Sequence, residues 1–519
     1  MLLATNGFMV DNSPTKYEKL VDNIKNNPEY KREILLNKLV GFYRIGSEIG
    51  IGNFSKVKLG LHLLTKEKVA IKILNKIKLD DKTQRLLLRE ISSMQKLHHP
   101  HIIRLYEVIH THERLFICME YASEGELYSK VSNDGRINEL ESRIIFSQII
   151  SAVDYLHSSN IIHRDIKAEN IFFSSLSPVN VKLGDFGFSI EATIDRQLNT
   201  YCGSPPYAAP ELFRDDHYVG IYVDLWALGV LLYFMVTGQM PFRADTVGKL
   251  KRLILNGDYT IPSFVSDTCQ FLIKGILRPI PIDRFSVKEI MHSAWLDSEK
   301  FSDSLLSFQF NPCQEQSKLS KEELYSLKIL QSLGITKQHL ISSNITEYTN
   351  PAQRQSSYMS NLISSRALSN ITNSEGHINM TYELKQSING TYRIIFHLVQ
   401  KKLRKETSSE LEANSFFFSQ FSSIDDSPNL NRSRRLQKNS CSTDGQDLSS
   451  RKSRQESFSV NNNENSIFCK AVFEILLDSL IINTLLILKS FYNHYQLTML
   501  LRINVDLPSL KLYYFLTKN

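Results

Sequence analysis

The stretch IIHRDIKAENIFF, residues 161–173, sets His163, Arg164, Asp165, Lys167, Glu169 and Asn170 between the apolar flanks Ile161-Ile162 and Ile171-Phe172-Phe173. Unpaired charge beside a core is costly. A solvated loop tip would explain the charges but not the flanks. The pattern predicts strand, polar loop, strand, with the loop presented at the edge of a packed body, where function usually resides.

Upstream of that loop, residues 42–122 read as short β-rich runs: YRIGSEIG, SKVKLGLHL, KVAIKIL, LYEVIHT and RLFICMEY. One helical pattern, QRLLLREISSMQKL, interrupts them. Downstream, 123–296 is mostly helical. ESRIIFSQIISAVDYLHSS is amphipathic, and VDLWALGVLLYFMVTG reads as a buried helix, its length short of the ~20 residues that span a bilayer. The expectation is an α+β fold of two lobes, a small β-rich one and a larger α-rich one, joined near residue 122.

The remainder divides by composition. Residues 1–41 form a polar extension with some helix near 28–40. Beyond 310, EELYSLKILQSLGITKQHLI (322–341) has helix-turn-helix patterning around Leu333-Gly334, and INGTYRIIFHLVQKKL (388–403) is a second amphipathic run. Residues 404–465, rich in Ser, Asn and charge, read as disordered. The apolar tail 466–519 contains CKAVFEILLDSLIINTLLILKSF, which Glu474 and Asp478 interrupt. A membrane anchor, a partner-binding helix and an imperfect gene model all remain open for it.

The 519 residues carry a formal charge of +7, mild for the length; it implies some affinity for acidic partners and gives no sign of nucleic-acid binding. The six cysteines show no CxxC and no zinc-type spacing, and the opening MLLATNGFMV lacks a basic leader. Both features favour a reduced, cytoplasmic setting.

Chemistry-bearing motifs surround the quoted loop. Asp185 follows in LGDFGFS and Glu211 in YAAPELF; upstream stand the glycine-rich EIGIGNFSKV (48–57), VAIK (69–72) and Glu90 on the helix after it. A lone Gly-rich turn recurs by chance, and a lone Lys72 is more often a strand lysine with its stem laid along apolar surface. Six motifs in this order and spacing resemble the eukaryotic protein kinase family across 42–296.

The resemblance implies Mg²⁺ and ATP as cofactors, and phosphoryl transfer that needs positioning and neutralisation more than covalent chemistry. Gly50 and Gly52 would let backbone amides approach the phosphates. Lys72 would hold the α- and β-phosphates, with Glu90 holding Lys72. Asn170 and Asp185 would supply hard oxygen ligands to the metal. Asp165 would orient or accept the proton of the attacking hydroxyl, and Lys167 would neutralise the moving phosphoryl group. Ile49, Val57, Ala70, Glu120 and Ala122 would complete the ATP site. His163 and Phe186 would pack beneath the loop, Asp224 would brace it, and Glu211 with Arg284 would form a buried ion pair. Ser55 stands where the family has a third glycine.

Lys167, GSPPYAAPE (203–211) and Ser204 imply serine/threonine specificity. LNTYCGSPPYAAPE resembles the AMPK-related kinases of the calcium/calmodulin-kinase-like group, and LFRDDHYVGIYVDLWALGVLLYFMVTG resembles their NIM-one branch. In that setting, residues 320–403 resemble a divergent ubiquitin-associated-type region split by an insertion at 346–387. Thr200 would carry the activating phosphate, added by an upstream kinase and paired with Arg164. Glu126 and Glu169 match positions that read an arginine three residues before the acceptor in protein substrates. Cys202, beside Thr200, reads as a buried, inert thiol, with a redox handle as the alternative. The alternative is a pseudokinase scaffold, for which Ser55 is the only feature.

Overall fold

A computed structural model describes residues 13–52, 55–111, 113–193, 195–306, 318–344 and 375–404, with side chains of the last segment from 387 onward. The Ser/Asn-rich segment beyond 404, the apolar tail and most of the 346–387 insertion lie outside the described residues.

The extension opens with two helices, α1 (Lys16–Asn26) and α2 (Pro28–Leu35). Thr15 and Glu18 form a reciprocal capping box that starts α1, and Asn27 caps α2 with proline at its first position. Only the second helix overlaps the span expected from sequence; the Thr-Lys-Tyr-Glu capping signal is what marks the first.

Six antiparallel strands make the small lobe: β1 (Leu39–Val40), β2 (Tyr43–Ile51), β3 (Ser55–His62), β4 (Lys68–Asn75), β5 (Leu105–His110) and β6 (Arg114–Glu120), in the order β1-β2-β3-β4-β6-β5. Between β4 and β5 runs α3 (Asp81–Lys96), capped by the Asp80 carboxylate. The larger lobe is helical: α4 (Leu127–Asp134), α5 (Glu139–Ser158), α6 (Pro210–Arg214), α7 (Gly220–Thr237), α8 (Val247–Asn256), α9 (Asp267–Ile276) and α10 (Val287–Met291). Six short strands punctuate it: β7 (Ile161–Ile162), β8 (Ile171–Leu176), β9 (Val179–Leu183), β10 (Ile190–Glu191), β11 (Gln197–Leu198) and β12 (Tyr218–Val219). The bilobal α+β expectation holds. The opening stretch is β7, loop and β8, with one 3-10 turn at Ala168–Asn170.

α7 is apolar on every face because almost every face is covered: Leu228, Val230, Leu231 and Leu232 are fully buried, and Trp226 stacks on Phe242 with centroids 5.6 Å apart. It is the one described helix long and apolar enough to cross a membrane, and it is the core of the large lobe. It ends at Gly238, whose φ of 73° is left-handed and where a Cβ would collide with the Gly135 carbonyl.

Three further helices, α11 (Lys321–Ser332), α12 (Lys337–Asn344) and α13 (Glu375–Leu403), pack with the extension against the sheet lobe. Leu20 and Ile24 of α1, Phe42 and Leu63 of the sheet lobe, Leu330 of α11 and Phe396 of α13 share one apolar cluster. Burying each such side chain fully contributes about 1.5–3 kcal/mol before entropy is charged against it. The approach is close. A Cβ on Gly334 (φ +91°) would strike Thr15, and one on Gly390 would strike the Glu107 carboxylate.

Candidate active site

Strand register builds the roof of the cleft between the lobes. Gly50 pairs with Val57, Val57 with Lys72, and Lys72 with Ile117. The Gly52 N–H donates to Ser55 O at 2.8 Å and the Ser55 N–H returns to Gly52 O at 3.4 Å, closing a tight turn. A Cβ on Gly52 would lie 2.9 Å from Ser55 Oγ, a contact that turning the serine side chain relieves. On Gly50 a Cβ would make only ordinary contact with Val57, so only a ligand could demand glycine at that position. Ala70 is buried, Val57 and Ala122 are half-buried, and Ile49 is exposed.

Lys72 Nζ donates to Glu90 Oε1 at 2.6 Å and stands 3.5 Å from Asp185 Oδ1. Burial opposes charge on Lys72, but Glu90 and then Asp185 outweigh it and hold the ammonium above its ordinary value. Asp185 is likewise opposed by burial and held ionised chiefly by Lys72.

The floor is the quoted loop. Asp165 Oδ2 takes Lys167 Nζ at 2.7 Å and Asn170 Nδ2 at 3.1 Å, while Oδ1 accepts from the Ser204 N–H at 3.1 Å and Oγ at 3.0 Å. Lys167 also donates to Ser204 Oγ at 2.9 Å. Beneath it lies Asp224, fully buried, accepting from the backbone N–H groups of His163 and Arg164 and from His157 Nε2. Burial opposes its charge, and these donors, His157 foremost, keep its carboxyl below the usual range. They also hold Arg164 at φ +65°, a left-handed backbone that persists only where the surroundings over-determine it. Phe186, fully buried, meets His163 edge-on at 5.0 Å.

The donor set fits Mg²⁺. Asn170 spends its amide nitrogen on Asp165, and Asp185 Oδ1 faces Lys72 and the Gly187 N–H. Asn170 Oδ1 and Asp185 Oδ2 therefore remain uncommitted among the described residues, and hard oxygens suit that ion.

Glu120 lies elsewhere than expected. Its carboxylate points behind the inter-lobe connection, where Oε2 meets Lys182 Nζ at 3.0 Å and accepts from the Arg104 N–H at 3.3 Å, and Oε1 meets His397 Nε2 at 3.2 Å. Burial opposes its ionisation, and Lys182 and His397 hold it well below the usual carboxylate range. Any contact of Glu120 with a nucleotide falls to its main chain. Sequence could not have placed this side chain, since His397 is 277 residues away.

Thr200 is exposed. Its carbonyl accepts from Tyr218 Oη at 2.7 Å, and that hydroxyl lies 3.5 Å from Arg164 Nη1, whose Nε is bonded to Phe188 O at 2.7 Å. Tyr218 is thus a bridge that motif reading missed. Tyr207 is another, its hydroxyl accepting from the Ala168 N–H at 3.2 Å in the 161–173 stretch. Burial raises the Cys202 thiol above its usual value, which keeps it protonated. Glu126 is raised by burial and then by the nearby Glu169 charge, so the two carboxylates share one electrostatic site. Arg284 Nη1 and Nη2 donate to both oxygens of buried Glu211 at 2.7 and 2.6 Å.

A glycine-turned roof, a lysine tied to a helix carboxylate, and an Asp-Lys-Asn floor lie between the two lobes, and residues 43–296, just under half of the chain, match the protein kinase domain family model. Among curated proteins, serine/threonine-protein kinase SIK2 of Gallus gallus is 40% identical over 304 residues. The aligned part is 59% of this chain and 38% of that relative, so the chain spans well under half its length.

Proposed function

We propose that this chain is a Mg²⁺/ATP-dependent serine/threonine protein kinase of the AMPK-related group. The observation that carries the reading is the assembled cleft: Lys72 paired with Glu90 at 2.6 Å above an Asp165 carboxylate held by Lys167 and Ser204. Bound Mg²⁺ would neutralise and align the phosphates. Lys72 would orient the α- and β-phosphates. Asp165 would draw the substrate hydroxyl into line and take its proton, and Lys167 would offset charge on the phosphoryl group in transit. Ser204 fixes Asp165 from the activation segment, coupling the order of that segment to the geometry of the base.

Finer features follow from the same reading. Thr200 would be phosphorylated by an upstream kinase, its phosphate reaching Arg164 past Tyr218. Glu126 and Glu169 would prefer substrates with an arginine three residues before the acceptor. Residues 320–403 would be a divergent ubiquitin-associated-type region, the chain would belong to the NIM-one branch, and it would act in the cytoplasm. Incubating the full chain with Mg²⁺-ATP and an arginine-directed Ser/Thr peptide library tests the core of this; transfer that is lost in Asp165→Asn supports it. ATP binding without transfer, before and after treatment with an AMPK-activating kinase, would replace it with the scaffold reading.

A further inference from the structure

The chain from Leu198 to Ser204 closes on the Arg164-Asp165 turn through a series of direct contacts. β11 and β12 pair so that Leu198 stands opposite Tyr218. The Tyr218 hydroxyl donates to Thr200 O at 2.7 Å and lies 3.5 Å from Arg164 Nη1. Gly203, at φ +100°, passes so near that a Cβ would fall 2.7 Å from Arg164 O. Ser204 then gives Asp165 Oδ1 both its N–H and its hydroxyl.

Within this set Tyr218 has the position of a link. It is 6% exposed and sits in β12, directly ahead of α7. Phenylalanine would serve apolar burial alone, and a buried hydroxyl is costly unless bonded. Here the hydroxyl is spent on the two groups it joins, a carbonyl of the 198–204 chain and the guanidinium of the turn. The opposing hold comes from α7 itself, where Asp224 Oδ1 accepts the Arg164 N–H at 2.8 Å. The start of one buried helix therefore grips both the 198–204 chain and the turn that carries Asp165. Because Tyr218 holds the carbonyl of Thr200 and not its side chain, the grip does not depend on what residue 200 carries.

We propose that Tyr218 is a positioning residue. Its hydroxyl tethers the main chain at Thr200 to Arg164, keeps Ser204 seated on Asp165, and so sets the geometry of the base. It acts through Arg164 and Ser204 and takes no proton from the substrate. The effect on transfer rests on the kinase reading above; the tether itself does not.

The test compares the full chain with Tyr218→Phe, which keeps the ring and deletes the hydroxyl. Tyr233→Phe is the control: Tyr233 Oη donates to Thr260 O at 2.7 Å, so an equal bond is lost elsewhere in the large lobe. Peptide phosphorylation in Mg²⁺-ATP and amide exchange over 198–204 are measured on each protein, and exchange again in a Thr200→Ala background. Tyr218→Phe is expected to lower kcat about fivefold or more with the KM for ATP unchanged. It is also expected to speed exchange over 198–204 in both backgrounds, and Tyr233→Phe is expected to do neither. Wild-type kcat in Tyr218→Phe, an equal fall in Tyr233→Phe, or faster exchange only where residue 200 is threonine overturns the proposal. Should the wild type transfer no phosphate, the kinase reading fails and exchange decides the tether: faster exchange in Tyr218→Phe upholds it, and unchanged exchange refutes it.

Discussion

Lys72 is surrounded so that its charge is never in doubt: Glu90 on one side, Asp185 on the other, and burial insufficient to neutralise it. Glu90→Gln keeps the shape and removes the stronger partner. The expected result is a fall in kcat of about 10²-fold or more with little change in Tm, read from phosphotransfer and unfolding in parallel. Glu211 and Arg284 are the contrasting case, a buried pair with both carboxylate oxygens matched by the guanidinium. Glu211→Ala strands the Arg284 guanidinium and is expected to cost about 3–5 kcal/mol of folding stability in denaturant titrations. At this scale the sequence was most legible where residue type and spacing are dictated by chemistry, as in Asp165, Lys167, Asn170 and Asp185. It was least legible for Glu120, where a residue next to a recognisable motif turns its side chain toward a helix far along the chain.

Among the elements, α13 is the one whose position rests on close approach. Ser387 Oγ donates to Glu107 Oε1 at 3.1 Å, Thr391 Oγ1 lies 3.1 Å from His62 Nε2, and Gln400 Nε2 donates to Leu306 O at 3.1 Å. The helix thus touches β3, β5 and the chain that leaves the large lobe. Gly390 permits this, because a Cβ there meets the Glu107 carboxylate. Gly390→Ala would favour the helix by about 1 kcal/mol on propensity alone, yet it should loosen the docked helix. Faster amide exchange in 388–403, with exchange in α5 and α7 unchanged, is the expected result; unchanged exchange in α13 would show that the contact yields without cost. The apolar period of 388–403 made the helix itself readable. Its seat was not, because the matching surface on β5 and the inter-lobe connection is formed by residues nearly 300 positions earlier in the chain, which only the fold brings together.

For the molecule as a whole, burial of histidine sets the response to acid. His62 and His101 are held at about 3 and His99 at about 4, in each case first by burial. Unfolded, such residues titrate near 6.5, so below that pH the unfolded chain binds protons that the folded one refuses. Each fully buried histidine then costs up to about 1.4 kcal/mol per pH unit from 6.5 down toward its folded value. Denaturation midpoints are expected to fall steadily between pH 7 and 5, a window in which ordinary carboxylates hardly titrate, and a flat profile would contradict this. The two-lobed architecture was readable from alternating β-rich and helical text. The union of the first and last described helices in one apolar cluster was not, since periodicity within a segment says which face is apolar but not what covers it.

The most direct test of the kinase reading is phosphate transfer by the full chain to a Ser/Thr peptide in Mg²⁺-ATP, measured beside Asp165→Asn and Lys72→Met. Transfer by the wild type, lost in both variants while they stay folded, is the predicted result. Equal incorporation in all three, or none in the wild type even after phosphorylation of Thr200, would contradict it.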